Sequence, residues 1–338
     1  MQTAIAAIFV FLLVILLHEL GHFTVAKLVG IKVNEFSIGM GPKLFQKRKG
    51  ETQYTLRALP IGGYVKMEGE DEDSDDPRAF GSVSALSRIA VVAAGAIMNF
   101  VLAVIVLSIV SFSMGDSQKP TNVISQIIPD TPAEFAGVME GDQFISINNT
   151  PINTWDELSN AISNSSANEE LEIRIIRDNE EQTLYIQPTI EEERVMIGIV
   201  PMYDRSFMSG IKGGFQMTGN FIALMFDFIK MIFTGGVSIN DLSGPVGVIN
   251  EIGNAARMGI MNLLILLGFI SVNLGFFNLL PIPALDGSRL VFLFIELLRG
   301  KPINPEKENL IHFVGLIFLL GLMLIVTYKD LIRIDIFG

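Results

Sequence analysis

The sequence contains no cysteine and few charged residues. Without cysteine, a disulfide framework is excluded, and so is any metal site built on thiolates. Only 18% of the 338 residues are charged, whereas 50% are hydrophobic, and the mean hydropathy is +0.47. That composition is typical of a membrane protein. Acidic residues outnumber basic ones by 36 to 24, which argues against a nucleic-acid partner because no basic surface would neutralise phosphates.

Four apolar runs reach the length that a membrane-spanning helix needs. The loop between the first two is rich in lysine and arginine, which places it in the cytoplasm by the positive-inside rule. We therefore expect the N-terminus, the segment between the second and third spans, and the C-terminus to be extracytoplasmic. The first run is not expected to be a cleavable signal, since it is too long and no basic region precedes it. The four runs are Ala4–Val29, Ile89–Met114, Gly259–Leu280 and Leu310–Tyr328.

A fifth segment, Gly213–Phe233, comes close to spanning length. Asp227 and Lys230 lie in its second half. These charges favour an amphipathic helix at the membrane interface, which leaves four predicted crossings.

The first apolar run contains His18-Glu19-Leu20-Gly21-His22. Residues four apart share one face of a helix, so His18 and His22 can bind one metal ion together. Glu19 can then act as general base on a metal-bound water. A chance match to this loose pattern is the alternative, but an idle carboxylate at membrane depth is costly. From Ala4 to Leu17 is roughly 21 Å of helix, which puts the motif inside the membrane near the cytoplasmic face.

A second polar group occurs after the third span, in the run from Asn273 to Gly287. It holds Asn273, Asn278 and Asp286 together with Pro281 and Pro283. A catalytic zinc site needs three protein ligands and a water, and we predict Asp286 as the third ligand. A helix-capping role is its alternative. With four crossings, the first and third helices run the same way and bring His22 and Asp286 to one depth.

The remaining segments have less specific signals. Residues 31–67 are predicted to form a β-hairpin of short strands interrupted by the glycine- and proline-containing segments Ser37–Pro42 and Leu59–Gly63. This hairpin is either a plain cytoplasmic one or a strand edge to which substrate adds beside the metal. The acidic run Glu68–Asp76 is predicted to be a solvated linker. Asn99 follows a patch of small residues, and helix packing is the expected role of that patch.

Between Pro120 and Thr189 the pattern becomes that of a soluble domain. Strands are predicted at Gln143–Asn148, Leu171–Arg177 and Gln182–Gln187, with a helix at Thr154–Ile162. The segment Pro132–Gly137 is followed by a predicted strand, and this succession resembles that of a PDZ domain. Such domains bind peptide ends by strand addition, and a cover that binds no ligand is the alternative.

The predicted fold is a polytopic α-helical membrane protein of four transmembrane helices, with a membrane-associated β-hairpin and an inserted α+β PDZ domain. We expect it in the cytoplasmic membrane. The predicted segments are the motif helix (1–30), a cytoplasmic or re-entrant hairpin with its acidic loop (31–86), the second span (87–114), the PDZ domain (115–200), an interfacial segment (201–256), the third span with the Leu-Asp-Gly motif (257–300), and the fourth span with a short tail (301–338).

Taken in order, these motifs resemble the bacterial site-2 proteases, the RseP-like zinc intramembrane proteases, here with a single PDZ domain. The resemblance implies a Zn²⁺ cofactor held by His18, His22 and Asp286, with Glu19 as base and Asn273 and Asn278 positioning substrate. It also implies substrates that are single-span membrane proteins already trimmed outside, such as anti-sigma factors or signal-peptide remnants, in regulated intramembrane proteolysis. Two residues depart from the family pattern: Ala96 stands where proline is common, and Ser288 where a second glycine is common.

Three other functions compete with this one. A membrane-anchored zinc protease acting on soluble or surface peptides would need its motif outside the hydrocarbon. A non-enzymatic membrane adaptor using its PDZ domain would need no metal. A transporter is disfavoured because the two halves of the chain show no repeat.

Overall fold

The computed structural model describes residues 2–70, 74–115, 120–167, 169–191, 194–203, 206–236 and 243–333. It contains two compact units, one of Met1–Val110 with Gly214–Gly338 and one of Ser111–Gly213. The helices are α1 (Gln2–Leu28), α2 (Ala85–Met114), α3 (Pro132–Phe135), α4 (Trp155–Ser163), α5 (Phe207–Thr234), α6 (Pro245–Met258), α7 (Ile260–Leu279), α8 (Asp286–Arg299) and α9 (Pro305–Arg333). The strands are β1 (Val33–Lys49), β2 (Thr52–Met67), β3 (Pro120–Ile127), β4 (Gln143–Ile147), β5 (Thr150–Pro151), β6 (Leu171–Arg177), β7 (Glu180–Ile186), β8 (Thr189–Glu191), β9 (Arg194–Met196) and β10 (Ile199–Tyr203).

Long apolar helices dominate the first unit. In the described part of the chain, five helices are long and apolar enough to cross a membrane: α1, α2, α5, α7 and α9. Four of them cover the predicted spans. The fifth, α5, covers the segment predicted to lie in the interface, so length and composition alone allow one crossing more than the sequence predicted.

Contacts along the helices fix their relative directions. From His18 to His22 along α1, the neighbouring positions on α2 move back from Asn99 to Val91. Helices α1 and α2 are therefore antiparallel.

The same relation holds between α2 and α7. Gly268 lies against Leu107, and Gly275, further along α7, lies against Ala96. Because α2 is antiparallel to both neighbours, α1 and α7 run in the same direction.

The hairpin lies at the predicted residues, but its strands are longer than predicted and it folds back on itself. Phe36 of β1 pairs with both Tyr54 and Val65 of β2, so the first half of β1 lies between two segments of its partner. The predicted strand breaks at 37–42 and 59–63 were wrong, because the strands continue through them. Gly39, Gly41 and Gly62 have positive φ there, so the strands bend without ending.

Arg57 links several parts of this folded hairpin. Its guanidinium donates to Ser37 Oγ (2.9 Å), to Glu35 Oε1 (3.1 Å) and to the Tyr64 hydroxyl (2.5 Å). The arginine therefore joins both halves of β2 to β1 through polar contacts.

The prediction of a solvated acidic linker was wrong at Glu68. Its carboxylate accepts hydrogen bonds from Asn34 (3.0 Å) and Ser74 (2.7 Å) and pairs with Lys32 (3.0 Å). These contacts, with Asn34 first, lower the pKa of Glu68 to about 2. Glu70 is also paired, with Arg289 of α8. Charge composition does not reveal such pairs because the basic partners lie elsewhere in the chain. Residues 71–73 lie outside the described residues.

The second unit is an α+β domain. Its sheet has the order β10-β3-β4-β6-β7, with β5 on β4, and α4 covers part of its apolar face. A capping box begins α4: Thr154 accepts from the N–H of Glu157, whose side chain bonds back. Phe144 and Leu158 are fully buried in its core. Strands and helix lie at the predicted places.

Candidate metal centre

Three donor atoms converge where α1 meets the start of α8. The Nε2 atoms of His18 and His22 lie 3.2 Å apart. Asp286 Oδ2 lies 3.2 Å from the first nitrogen and 3.4 Å from the second. The sequence predicted these three residues as a group, and the structure brings them together.

The triangle of donors fits a zinc ion. Ligands bound tetrahedrally at about 2.0–2.1 Å are separated by roughly 3.4 Å, close to the three distances observed. Asp286 Oδ2 is buried without a hydrogen-bond partner among the described residues. A buried carboxylate oxygen is costly unless something pairs with it, and a cation between the three atoms would do so. Two imidazoles and a carboxylate are also a donor set typical of catalytic zinc.

Helix α2 fixes the tautomer of the His22 imidazole. Nδ1 of His22 lies 2.8 Å from the carbonyl oxygen of Val91, to which it donates. A ring that carries its proton on Nδ1 presents the lone pair of Nε2, which is the atom facing Asp286.

Small residues allow α2 to approach α1 this closely. A Cβ at Gly95 would overlap both imidazole rings, and one at Gly21 would overlap the backbone of Ala94. Both imidazoles therefore lie directly against the backbone of α2.

A short loop positions Asp286. Helix α7 ends at Leu279, and Asp286 is the first residue of α8. The N-cap of α8 is Leu285, so Asp286 does not have the capping role that was its alternative. A Cβ at Gly287 would overlap the backbone of Leu280. The two ends of the loop therefore pack against each other, and the loop places Asp286 beside α1.

The predicted base lies under the hairpin. Glu19 is half-buried, and a Cβ added at Gly63 of β2 would lie 3.0 Å from its Cγ and 2.9 Å from the carbonyl oxygen of Ser37. The bend of β2 therefore covers the carboxylate-bearing face of α1.

The two predicted substrate-positioning residues both lie on α7. The amide of Asn273 donates to the carbonyl of Phe269 in its own helix (3.0 Å), and Asn278 is buried. The three-donor group includes neither of them.

Comparison with known proteins identifies the family. The family model described as peptidase family M50 matches residues 6–322. The chain belongs to peptidase family M50. A protein of Clostridium perfringens, named as a candidate zinc metalloprotease, is 41% identical over 97% of this chain and 98% of its own length. The regulator of sigma-W protease RasP of Bacillus subtilis is 33% identical, over 98% and 99%. The chain is accordingly a multi-pass membrane zinc metalloendopeptidase of the site-2 protease class.

Among solved structures, the PDZ domain of an SdrC-like protein from Listeria monocytogenes matches 25% of this chain and 88% of its own. The two are 16% identical, with a TM-score of 0.23.

In this M50 peptidase a polar cavity of about 700 Å³ adjoins the donor group, with Asp286 in its wall. Two ion pairs border the cavity: Arg88 with Glu296 (2.5 Å) and Arg289 with Glu70. The sequence predicted neither ion pair, because each arginine lies more than 200 residues from its partner. Arg88 counted only as a positive charge that orients the loop, and Arg289 had no predicted role.

His312, the third histidine, has no role predicted from the sequence. It lines the same cavity, and its Nδ1 accepts from the backbone N–H of Ala284 (3.3 Å) and lies 3.4 Å from Ser288 Oγ. Ala284 has a positive φ of 73°. The contact supports a strained part of the loop that carries Asp286. In the sequence, the only indication of a role for His312 is that it is a histidine.

Proposed function

We propose that this M50 peptidase hydrolyses peptide bonds within the transmembrane segment of single-span membrane proteins that have already been trimmed on the extracytoplasmic side. His18, His22 and Asp286 would hold the zinc, and Glu19 would be the general base. The convergence of two donors on the spanning-length helix α1 with a third at the end of the loop that follows the spanning-length helix α7 carries this proposal. This placement of the donors disfavours the alternative function, a protease that acts on soluble peptides, because the site of such an enzyme would lie outside the apolar segments.

Zinc held by these residues would supply a Lewis acid that polarises the substrate carbonyl and lowers the pKa of a bound water. Glu19 takes one proton from the attacking water, whose oxygen bonds to the carbonyl carbon. As the C–N bond breaks, Glu19 gives that proton to the leaving nitrogen. Asp286 and the two imidazoles stay unchanged through the cycle.

Substrate must be extended to be cut, and the hairpin offers an edge. The second half of β2, up to Met67, pairs with β1 on one side, and Gly63 in it lies against Glu19. A substrate strand added to this edge would pass the base. Asn273 and Asn278 would help to hold it, as the family resemblance implies.

Helix directions support four full crossings. Ring pairs between Phe221 and Phe269 and between Phe226 and Phe276 show that α5 runs parallel to α7. Consecutive crossings must alternate in direction, so α5 and α7 cannot be consecutive full crossings.

Helix α6 supplies the return between them. Thr3 of α1 packs at Gly253, and Gln2 donates to the carbonyl of Ala256 (3.1 Å), so α6 is antiparallel to α1. Helix α5 would then enter the membrane from the outer side, and α6 would return to that side. The full crossings would be α1, α2, α7 and α9.

Access would be controlled by the inserted domain. We favour a size filter, which excludes substrates that keep a bulky ectodomain. A receptor for the newly formed peptide end is the second candidate, and one observation favours it: a groove of about 110 Å³ between α4 and the segment Met196–Ile199, at the place where a PDZ-like domain would add a strand.

Replacing residues 120–203 by a flexible Gly/Ser bridge distinguishes the two roles. A filter predicts that the deletion variant still cuts a substrate with a short external stub and now also cuts the untrimmed form, since a coil blocks little volume. A receptor predicts slower cleavage of the stub and no cleavage of the long form.

The chemistry is tested by Glu19→Gln. This variant should keep its zinc and lose peptide hydrolysis, by roughly 10²-fold or more. Asp286→Ala should instead lower zinc occupancy, measured by elemental analysis of the purified protein. Near wild-type turnover in Glu19→Gln would refute the assignment of the base.

Orientation is tested with cysteines, because the native chain has none to interfere. Asp75→Cys and Asn160→Cys both alter exposed positions. We expect the first to be labelled from the cytoplasm and the second from outside. Labelling of both from one side would overturn the four-crossing topology.

A further inference from the structure

Asn99 is a buried polar residue for which packing was the expected role. Its side chain is fully buried in α2. Its Nδ2 lies 3.2 Å from Nδ1 of His18, on the side of that ring opposite the donor triangle. Its Oδ1 has no hydrogen-bond partner among the described residues. A buried amide that contacts an imidazole in this way is more than a packing residue.

The direction of this contact decides whether His18 can bind a metal. If the amide nitrogen donates to Nδ1, the ring proton is on Nε2, which then has no lone pair for an ion. A half-turn of the amide exchanges the two atoms and places the unpartnered oxygen at Nδ1. Nδ1–H then donates to that oxygen, and Nε2 offers its lone pair.

We propose that Asn99 is a positioning residue of the metal centre: its side-chain oxygen accepts the Nδ1–H of His18 and fixes the tautomer and orientation of that ring. The inference rests on the proposed assignment of His18 as a zinc ligand. It makes α2 the common support of both imidazoles, since Val91 does the same for His22.

The backbone around Asn99 is held in place for this role. Ser271 Oγ donates to the carbonyl oxygen of Asn99 (2.8 Å). A Cβ added at Gly275 would lie 3.3 Å from Cβ of Asn99. Helix α7 therefore fixes α2 from behind, while the amide points to α1.

The test compares Asn99→Leu, which has similar bulk and no acceptor, with Asn99→Asp, which keeps an acceptor at the same place. Zinc affinity is measured on the purified full chain by competition with a chelator. Loss of a supporting contact to a metal-binding histidine typically weakens the affinity 10–100-fold, and we expect this of Asn99→Leu. Asn99→Asp should remain within a few-fold of the wild type. The absorption spectrum of the Co²⁺-loaded protein should change only in Asn99→Leu.

Thr218→Ala is the control, because it removes a buried side-chain hydrogen bond within α5, to the carbonyl of Gly214, that involves neither imidazole nor Asn99. It should leave the zinc affinity unchanged. If Asn99→Leu does not fold, Asn99→Ala replaces it, with the same expected loss. Unchanged affinity and an unchanged Co²⁺ spectrum in the folded leucine or alanine variant would overturn the proposal. Equal losses in the aspartate and leucine variants would overturn it too.

His18→Ala separates this proposal from the one on which it rests. If His18→Ala keeps its zinc, the ligand assignment itself is wrong. If His18→Ala loses zinc while Asn99→Leu binds it normally, only the role of Asn99 is wrong.

Discussion

Gly95 of α2 lies so close to the imidazole of His22 that a Cβ at this position would overlap the ring nitrogen facing Asp286. In Gly95→Ala the two imidazoles must move apart or α2 must retreat, and either change disrupts the donor triangle. We expect zinc affinity to fall at least about 10-fold, as for other losses of support around a metal, measured by chelator competition.

Gly321→Ala is its control. Gly321 is also helical, in α9, and has nothing within 4 Å of an added Cβ. It should bind zinc normally. Equal zinc affinities in both variants would show that the close approach of α2 has no bearing on the metal.

Gly63→Ala should separate the base from the metal. The added methyl group would press on Cγ of Glu19 and on the carbonyl of Ser37 but on none of the three donor atoms. We expect normal zinc content and a kcat reduced roughly 10-fold or more, because a misplaced general base transfers protons poorly. Gly81→Ala, which adds a methyl group in open space, should have normal kcat. A wild-type kcat in Gly63→Ala would remove the argument that the hairpin positions Glu19.

Asp142→Ala should destabilise the inserted domain strongly. Asp142 is fully buried and accepts two hydrogen bonds of 2.7 Å from Arg177 and one of 2.8 Å from the N–H of Met139. The Arg177 side chain left without this partner is 18% exposed, so we expect a cost of about 1–3 kcal/mol, less than for a fully buried pair. Faster hydrogen exchange of the β4 and β6 amides in the intact protein would report this loss.

An exposed pair in the same domain is the comparison. Glu181 lies 3.8 Å from Arg174, and both side chains are exposed. Glu181→Ala should leave exchange nearly unchanged. Similar exchange in the two variants would contradict a structural role for the buried pair.

Glu68 should titrate far below an ordinary glutamate. Its pKa is lowered to about 2 by Asn34, Ser74 and Lys32, whereas an unfolded glutamate titrates near 4.3. Because the folded value is the lower one, its contribution to loop stability is present above about pH 4.3 and is lost as the pH falls through about 2. Carbon NMR of labelled carboxylates should show this midpoint, and Asn34→Ala should raise it. An unchanged midpoint in Asn34→Ala would refute this cause.

The sequence was sufficient for features that depend on local spacing. The two histidines share a face because they are four residues apart, and the long helices follow from apolar runs. Arg57 and Glu68 show the limit, since their partners depend on how the hairpin folds back. For Asn99, the spacing predicted a packed helix but not that its amide would face His18, because sequence does not say which faces of two helices meet.

Asp286 follows His22 by more than 260 residues in the chain, so the three donors come from opposite ends of the polypeptide. During biosynthesis α1 and α2 enter the membrane long before the loop between α7 and α8 exists. A chain interrupted anywhere before that loop has the two imidazoles but lacks the third donor, Asp286. Loading of the ion would therefore follow the synthesis of that loop and would fasten the start of α8 to α1. The protease would thus be unable to cut anything, including its own earlier spans, until that loop has been made and has reached α1.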